Sequence, residues 1–333
     1  MKLKDLYHQA IEIGLKNDLR PKEEIERLLK EEKEKYGKLS EKEKEKFDLD
    51  RLFNPYADSR VLNGDLETEI KRAVAGIDME VGEILLTYVL NLSSSEKIDL
   101  VISHHPEGRA LAQLYQVMKL QIDLLTEAGV TPSVAEQLME KRIGEVERRL
   151  LPINHHRAVD AARVLNLPFI CLHTPADNCV TRYLTELFEK KKPFRLKEII
   201  NLLEEIPEYQ KSIRLGICPK ILSGSEDSRA GKIYVDMTGG TEGSKDIFEK
   251  QAAAGLSTLV GMHFSEEALE MAKKANLNII VAGHIASDTL GLNLLLDQVE
   301  KELGEKLEIM GLSGFERIRH MEKRASIKIR TGY

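Results

Sequence analysis

The chain has no tryptophan, only three cysteines and no long apolar run. Cys171, Cys179 and Cys218 show no paired spacing, which favours a reduced, cytoplasmic protein. Nowhere do about eighteen apolar residues follow one another, and the first residues lack the apolar segment of a secretion signal. The net charge of −6 gives no basic footprint, which argues against broad nucleic-acid binding. We therefore expect a cytoplasmic protein with neither a membrane nor a nucleic acid as its partner.

The length and composition indicate a soluble globular protein with more than one domain. The chain has 333 residues, of which 42% are hydrophobic and 31% are charged. Residues 1–65 are predicted to form a charged helical extension, in which Lys30–Lys46 is nearly all Lys and Glu and is typical of a solvated helix face. Turn residues around Asn63–Asp65 separate it from the body. We expect one α/β domain over 66–192 and a second α/β region over 193–333.

Strand and helix patterns alternate through the body, which predicts an α/β fold. A helical pattern fills Ala110–Leu150, and a long helix is expected near Thr289–Leu303. Sequence repeats are not convincing, although two similar α/β halves are plausible. The fold class is thus two α/β domains with mixed or partly parallel sheets and helices packed on them, plus the N-terminal extension. The predicted strands are Arg72–Asp78, Leu100–Ser103, Leu167–Leu172, Lys232–Met237, Leu256–Met262 and Leu277–Ala282.

Two adjacent histidines follow the buried-type strand Leu100–Ser103, and Pro106 then prevents the strand from continuing. In open α/β sheets ligands bind at the carboxyl ends of the strands. Because consecutive side chains in extended chain point apart, His104 and His105 could each hold one of two neighbouring ions. A pair of ordinary surface imidazoles is the alternative.

Two further polar clusters follow predicted strands in the same way. The first is His173–Asn178 and the second is Gly283–Asp288, in which a histidine and an aspartate stand four residues apart and would face the same way on a helical turn. Either cluster alone could serve as a helix cap or a favourable charge in a first turn. Three such clusters at equivalent edges favour one shared metal site for Zn, Fe, Mn or a similar ion.

These three segments, Ile102–Pro106, His173–Asp177 and Gly283–Asp288, resemble in sequence and in order the motifs of the NIF-three-like dinuclear metal-centre family, also known as GTP cyclohydrolase I type two. The resemblance extends more weakly over about residues 70–310. The N-terminal extension and the helical stretch 110–150 depart from the compact form of that family.

The resemblance implies that His104, His105, Asp177 and His284 are metal ligands. The last motif of the family usually ends in a bridging Glu, and Asp288 stands in its place. Because Asp is one methylene shorter, bridging two ions from the same backbone position would require a shift. The position of His173 lies close to the metals in the family, and we interpret this residue as orienting Asp177.

Two divalent ions would bind a bridging water and lower its pKa, so hydrolysis is the natural chemistry of such a site. We expect a metal-dependent hydrolase in which a metal-bound water attacks a phosphoester or a cyclic amide or nucleotide-like small molecule. The alternative is a non-catalytic metal-handling or regulatory scaffold with a metal-linked partner. The resemblance also implies a homo-oligomer, a hexameric ring with its metal sites facing an inner cavity.

Two secondary features could contribute to substrate binding. Gly239, Gly240 and Thr241 lie between a predicted strand and helix, where free backbone N–H groups could hold an anion, although a plain turn is the better interpretation. His263 follows another strand and could bind substrate or act in acid/base chemistry, with a structural role as the alternative.

Overall fold

The computed structural model describes residues 1–320, so the end of the second predicted region, 321–333, lies outside the described residues. The helices are α1 (Leu3–Asn17), α2 (Lys22–Lys38), α3 (Glu41–Lys44), α4 (Val81–Ser93), α5 (Gly108–Ala112), α6 (Leu114–Val117), α7 (Leu120–Glu127), α8 (Pro132–Leu150), α9 (Arg157–Val164), α10 (Thr174–Lys191), α11 (Leu196–Glu204), α12 (Pro207–Arg214), α13 (Phe248–Ala253), α14 (Glu266–Lys274) and α15 (His284–Leu303). The strands are β1 (Arg60–Asn63), β2 (Arg72–Gly76), β3 (Leu100–Ser103), β4 (Phe169–Cys171), β5 (Lys220–Ser223), β6 (Ile233–Asp236), β7 (Thr258–Gly261), β8 (Asn278–Val281) and β9 (Glu308–Leu312).

The strands form two mixed sheets, which confirms the predicted fold class. The first sheet has the order β1-β4-β3-β2-β9, and the second has the order β5-β8-β7-β6. In each sheet the two pairings between the strands of the βαβ units are parallel, and an antiparallel strand, β1 or β5, closes one edge. Both antiparallel strands carry a register shift. The second sheet therefore repeats the strand order of the first, with β5 to β8 corresponding to β1 to β4.

Sheet membership crosses the domain boundaries that the sequence predicts. β1 lies in the predicted extension but pairs with β4, and β9 lies in the predicted second region but pairs with β2 in the first sheet. These two strands and β5 were not predicted, because each is short and half exposed and lacks a strong apolar pattern. The boundaries themselves stay a prediction.

The N-terminal extension contains one buried and one solvated helix. α1 packs against α10 and α15, and its apolar side, including Leu3, Leu6 and Ile11, is fully buried in the main core. α2 buries only Ile25 and exposes its Lys and Glu side chains, as the charge pattern indicates. α1 is thus a part of the globular body. Among residues 1–320, no helix combines the length and apolar character that crossing a membrane requires.

α10 and α15 approach each other closely because Gly291 has no side chain. A Cβ on Gly291 would lie 2.6 Å from the carbonyl oxygen of Ala176. On the other side of α10, a Cβ on Gly14 of α1 would lie 2.8 Å from the Cβ of Pro175. The first turn of α10 is therefore held between two helix backbones, and interiors packed this densely do not accommodate an added methyl group without a shift.

We expect Gly291→Ala to lower the free energy of unfolding by about 1–3 kcal/mol, because the new methyl group overpacks the contact between α10 and α15. Gly82→Ala on α4 is the matched control: its Cβ would have nothing within 4 Å. The control should change stability by less than about 1 kcal/mol. Urea unfolding of both variants measures the difference, and equal midpoints would contradict the close approach.

Candidate metal centre

The three polar clusters meet at one place between the two sheets. His104 and His105 follow β3, Asp177 lies in the first turn of α10 after β4, and His284 and Asp288 lie in the first turns of α15 after β8. α15 begins earlier than the sequence indicates, at His284 instead of near Thr289, because Gly283 adopts a φ of +114° that an L side chain rarely accepts. The earlier start places His284 and Asp288 one turn apart on the same helix face.

A first group of ligand atoms is deeply buried. The Nε2 atom of His104 lies 3.4 Å from Asp177 Oδ1 and 3.5 Å from Asp288 Oδ1. Within the described part of the chain, none of these three atoms has a hydrogen-bond partner. Buried polar atoms without partners are costly and uncommon, so their convergence indicates a group that accepts a cation.

A second group lies on the other side of Asp288. The Oδ2 atom of Asp288 is 3.3 Å from His105 Nε2 and 3.4 Å from His284 Nε2, and it too is buried without a hydrogen bond among the described residues. One carboxylate thus presents one oxygen to each group. Imidazole nitrogens and carboxylate oxygens suit divalent ions such as Zn, Fe and Mn, so the side chains present fit the expected metals.

The outer nitrogens of two imidazoles are held in place. His105 Nδ1 lies 2.7 Å from Asp78 Oδ1, and His104 Nδ1 lies 3.2 Å from the carbonyl oxygen of Leu172. A histidine whose Nδ1 is engaged in this way directs Nε2 towards its other neighbour, which is the usual arrangement around a bound metal. Both Nε2 atoms point into the groups described above.

The electrostatics favour positive charge at the first group. Burial lowers the pKa of His104, but the carboxylates of Asp288 and Asp177 outweigh burial and raise it to about 10. Burial would likewise raise the pKa of Asp288, but His104 and the other imidazoles hold it well below its usual range. Burial keeps the pKa of His284 below its ordinary value, which favours the neutral imidazole that a metal requires.

His173 lies beside the cluster but is oriented differently from our expectation. Its Nδ1 atom is 2.8 Å from Asp58 Oδ2, whereas its Nε2 atom is 3.7 Å from Asp177 Oδ2, which is beyond hydrogen-bond distance. Asp58 also accepts a hydrogen bond from Thr174 at 2.6 Å. The side chain of His173 can therefore share a metal group with His104 and His105.

Asp58 is the residue that the sequence did not reveal. It lies in a segment with turn composition, and only the fold carries this segment to β4 and the start of α10. It is fully buried, which would raise its pKa, but His173, Thr174 and Arg60 lower the pKa below its ordinary value. A carboxylate in a turn with no periodic context gave no signal of this role.

A cavity of about 360 Å³ opens from the cluster and is large enough for a small molecule. One wall belongs to the helical stretch 110–150, whose Leu114, Leu125 and Met139 line the cavity. Gly240 and Thr241 also line it, whereas Gly239 lies against Gln121. The helical stretch that departs from the compact family form thus encloses the site.

Gln121 holds the glycine-rich segment, Gly239–Thr241, against this wall by hydrogen bonds. Its amide nitrogen donates hydrogen bonds of 2.7 Å to the carbonyl oxygens of both Gly239 and Thr241. Gly239 and Gly240 have φ values of +99° and +88°, which explains why glycine occupies both positions. The segment is an ordered cavity wall, and whether its N–H groups bind an anion stays a prediction.

Comparison with known proteins places the chain in a family. A solved NIF3 superfamily protein from Sphaerobacter thermophilus is 28% identical, with a TM-score of 0.65, and the match covers 78% of this chain and 92% of that one. The chain belongs to the NIF3 superfamily. No family model and no curated protein matches it. The activity implied by the name GTP cyclohydrolase I type two stays a prediction.

Other solved structures are similar at lower identity. Reduced HcgD from Methanocaldococcus jannaschii is 15% identical, with a TM-score of 0.47 and coverage of 76% of this chain and 87% of that one. The protein ybgI, described as of unknown function, is 14% identical, with a TM-score of 0.46 and coverage of 79% and 92%. These two likenesses carry no argument about the site of this NIF3 superfamily chain.

We expect Gln121→Met to loosen the glycine-rich segment, because two carbonyl oxygens lose their donor while the side-chain volume is nearly kept. The free energy of unfolding should fall by about 1–3 kcal/mol. Hydrogen exchange of peptides covering 236–244 should become faster. Gln116→Met, at a half-buried position on α6, is the control. Unchanged exchange in Gln121→Met would show that these hydrogen bonds do not hold the segment.

Proposed function

We propose that this protein holds two divalent metal ions and hydrolyses a small phosphoester or a cyclic amide or nucleotide-like molecule. His104, Asp177 and Asp288 would hold one ion, and His105, His284 and Asp288 the other. The observation that carries the proposal is the position of Asp288, whose two unpartnered oxygens face two different groups of ligand atoms. The shorter side chain reaches both groups from the first turns of α15.

The surrounding residues suit hydrolysis of a bound small molecule. Divalent ions in such a site polarise a carbonyl or phosphoryl oxygen and activate water for attack. Asp78 and the Leu172 carbonyl orient two imidazoles, and the helical wall with Leu114 and Met139 limits solvent access. A cavity beside the cluster favours catalysis over the scaffold alternative, because a protein that only stores or transfers ions needs no room for a second molecule.

We also propose that the chain forms a homo-oligomer, which the resemblance describes as a hexameric ring. Support comes from α4, which exposes a row of apolar side chains on one face. Leu85, Val89 and Leu92 are 52%, 49% and 67% exposed. Apolar rows of this kind commonly mark contacts between subunits.

Elemental analysis after extensive dialysis tests the metal sites. We expect two ions per chain in the wild type and fewer than one in Asp288→Ala, because this carboxylate serves both groups. His104→Ala should lose the buried ion first. His156→Ala, which removes an exposed histidine at the start of α9, should retain both ions.

The metal content could also contradict the proposal. Wild-type protein with one ion or none, unchanged in Asp288→Ala, would exclude the dinuclear site. Circular dichroism of each variant separates a loss of ligands from a loss of fold.

A screen of phosphoesters, nucleotides and cyclic amides with Mn, Zn and Fe tests hydrolysis. We expect turnover that His104→Ala lowers at least about 100-fold, because removal of a ligand disturbs the ion that activates water. Chelation should abolish turnover, and His156→Ala should leave it unchanged. Protein that binds two ions but turns over none of these classes would favour the metal-handling scaffold.

A further inference from the structure

A row of polar side chains crosses the carboxyl edge of the second sheet. The strands β8, β7 and β6 lie side by side, with Val281 in register with Gly261 and Gly261 in register with Asp236. His284 follows β8, His263 follows β7, and Asp236 ends β6. Since neighbouring strands are about 4.8 Å apart, Asp236 lies about 10 Å from the metal end of this row.

His263 occupies the middle of the row. Its ring centroid is 4.9 Å from that of His284, and both rings line the cavity. The cavity therefore runs continuously from the metal cluster along the strand ends to Asp236. A bound molecule can contact both ends at once.

At the far end of this cavity, Asp236 is a hydrogen-bond acceptor without a donor among the described residues. Within residues 1–320, no group donates a hydrogen bond to the carboxylate of Asp236, which lines the cavity. Glu242 differs, because its Oε1 atom accepts the backbone N–H of Ser265 at 2.8 Å. Burial, followed by the charge of Glu242, raises the pKa of Asp236 to about 6. A ligand donor would replace the hydration that this carboxylate loses.

Gln251 on α13 supplies a second, independent acceptor. The residue is 1% exposed and lines the same cavity. Its Oε1 atom is buried and has no hydrogen-bond partner among the described residues. A buried amide oxygen without a donor is destabilising, so its position is explained if a ligand supplies the donor.

We propose that Asp236 and Gln251 select substrates that present an N–H edge, such as an amidine, a guanidine or an amino-substituted heterocycle. The inference rests on the proposed function and specifies its substrate class. The reacting oxygen would face His105, His284 and Asp288, and the N–H donors would face Asp236 and Gln251 at the other end. An ionised carboxylate and a planar N–H edge form two parallel hydrogen bonds. A molecule without this edge cannot form them, so the carboxylate discriminates between the two kinds of substrate.

Two probes of similar shape test this assignment. 4-Amidinobenzoate carries a carboxylate for the metal end and N–H donors at the opposite end, whereas 4-isopropylbenzoate keeps the shape without the donors. Calorimetry on the Mn-loaded full chain should give at least about tenfold tighter binding of the amidine. Asp236→Asn and Gln251→Met should each reduce that preference, leaving the affinity for 4-isopropylbenzoate within about twofold.

The control and the metal dependence separate the two proposals. Glu249→Gln removes an exposed carboxylate from α13, the helix that carries Gln251, and should leave the preference for the amidine unchanged. In chelator-treated protein both probes should bind more weakly, but the ratio of their two affinities should stay the same. The ratio depends on Asp236 and Gln251, whereas the affinity that both probes lose depends on the metals. A preference that persists in protein without turnover supports this inference and argues against hydrolysis. Equal affinity for both probes, no binding of either, or a preference unchanged in both cavity variants would overturn the inference.

Discussion

The backbone contact between Gly291 and Ala176 sets the distance between α10 and α15, and the geometry of the whole site depends on this distance. Asp177 immediately follows Ala176, and Asp288 lies almost one turn before Gly291. When the two backbones touch, the two carboxylates face the same buried imidazole, that of His104. A larger residue at the contact would move the two carboxylates apart, so that they would no longer both face His104. The packing of α10 against α15 therefore also determines the geometry of the site.

Burying the charged and polar groups of the cluster is unfavourable, and the surrounding fold must compensate for it. Two nearly inaccessible carboxylates and a buried imidazole lie together without the hydrogen bonds that buried polar atoms normally make. The protein surrounds them with fixed partners, such as Asp58 behind His173 and Asp78 behind His105. Pre-oriented ligand atoms lose little freedom when a cation binds, which is how buried polar groups of this kind are compensated.

Much of the fold and of the candidate cluster was predictable, because the decisive residues follow strong apolar strands. β3 was predicted with its observed bounds, and the strands before His173 and Gly283 differ from the observed ones only at their ends. Contributions from distant segments could not be predicted. Asp58 meets His173 only because β1 pairs with β4, and Gln251 enters the cavity from a short helix with no distinctive pattern. Local patterns identify strand ends, whereas they do not indicate which remote side chains reach them.

The repeated strand order has a consequence for how ions would exchange. β7 corresponds to β3, but it is followed by Met262 and His263 where β3 is followed by His104 and His105, so the two halves contribute unequally. His104 and Asp177 are 1% and 6% exposed, whereas His105 and His284 are 26% and 40% exposed. The group around His104 has two nearly inaccessible carboxylates, whereas the group around His105 and His284 has one carboxylate and two partly exposed imidazoles beside the cavity. In the proposed two-ion site, the ion held by His105 and His284 would therefore dissociate first, and the ion held by His104 and Asp177 would leave more slowly.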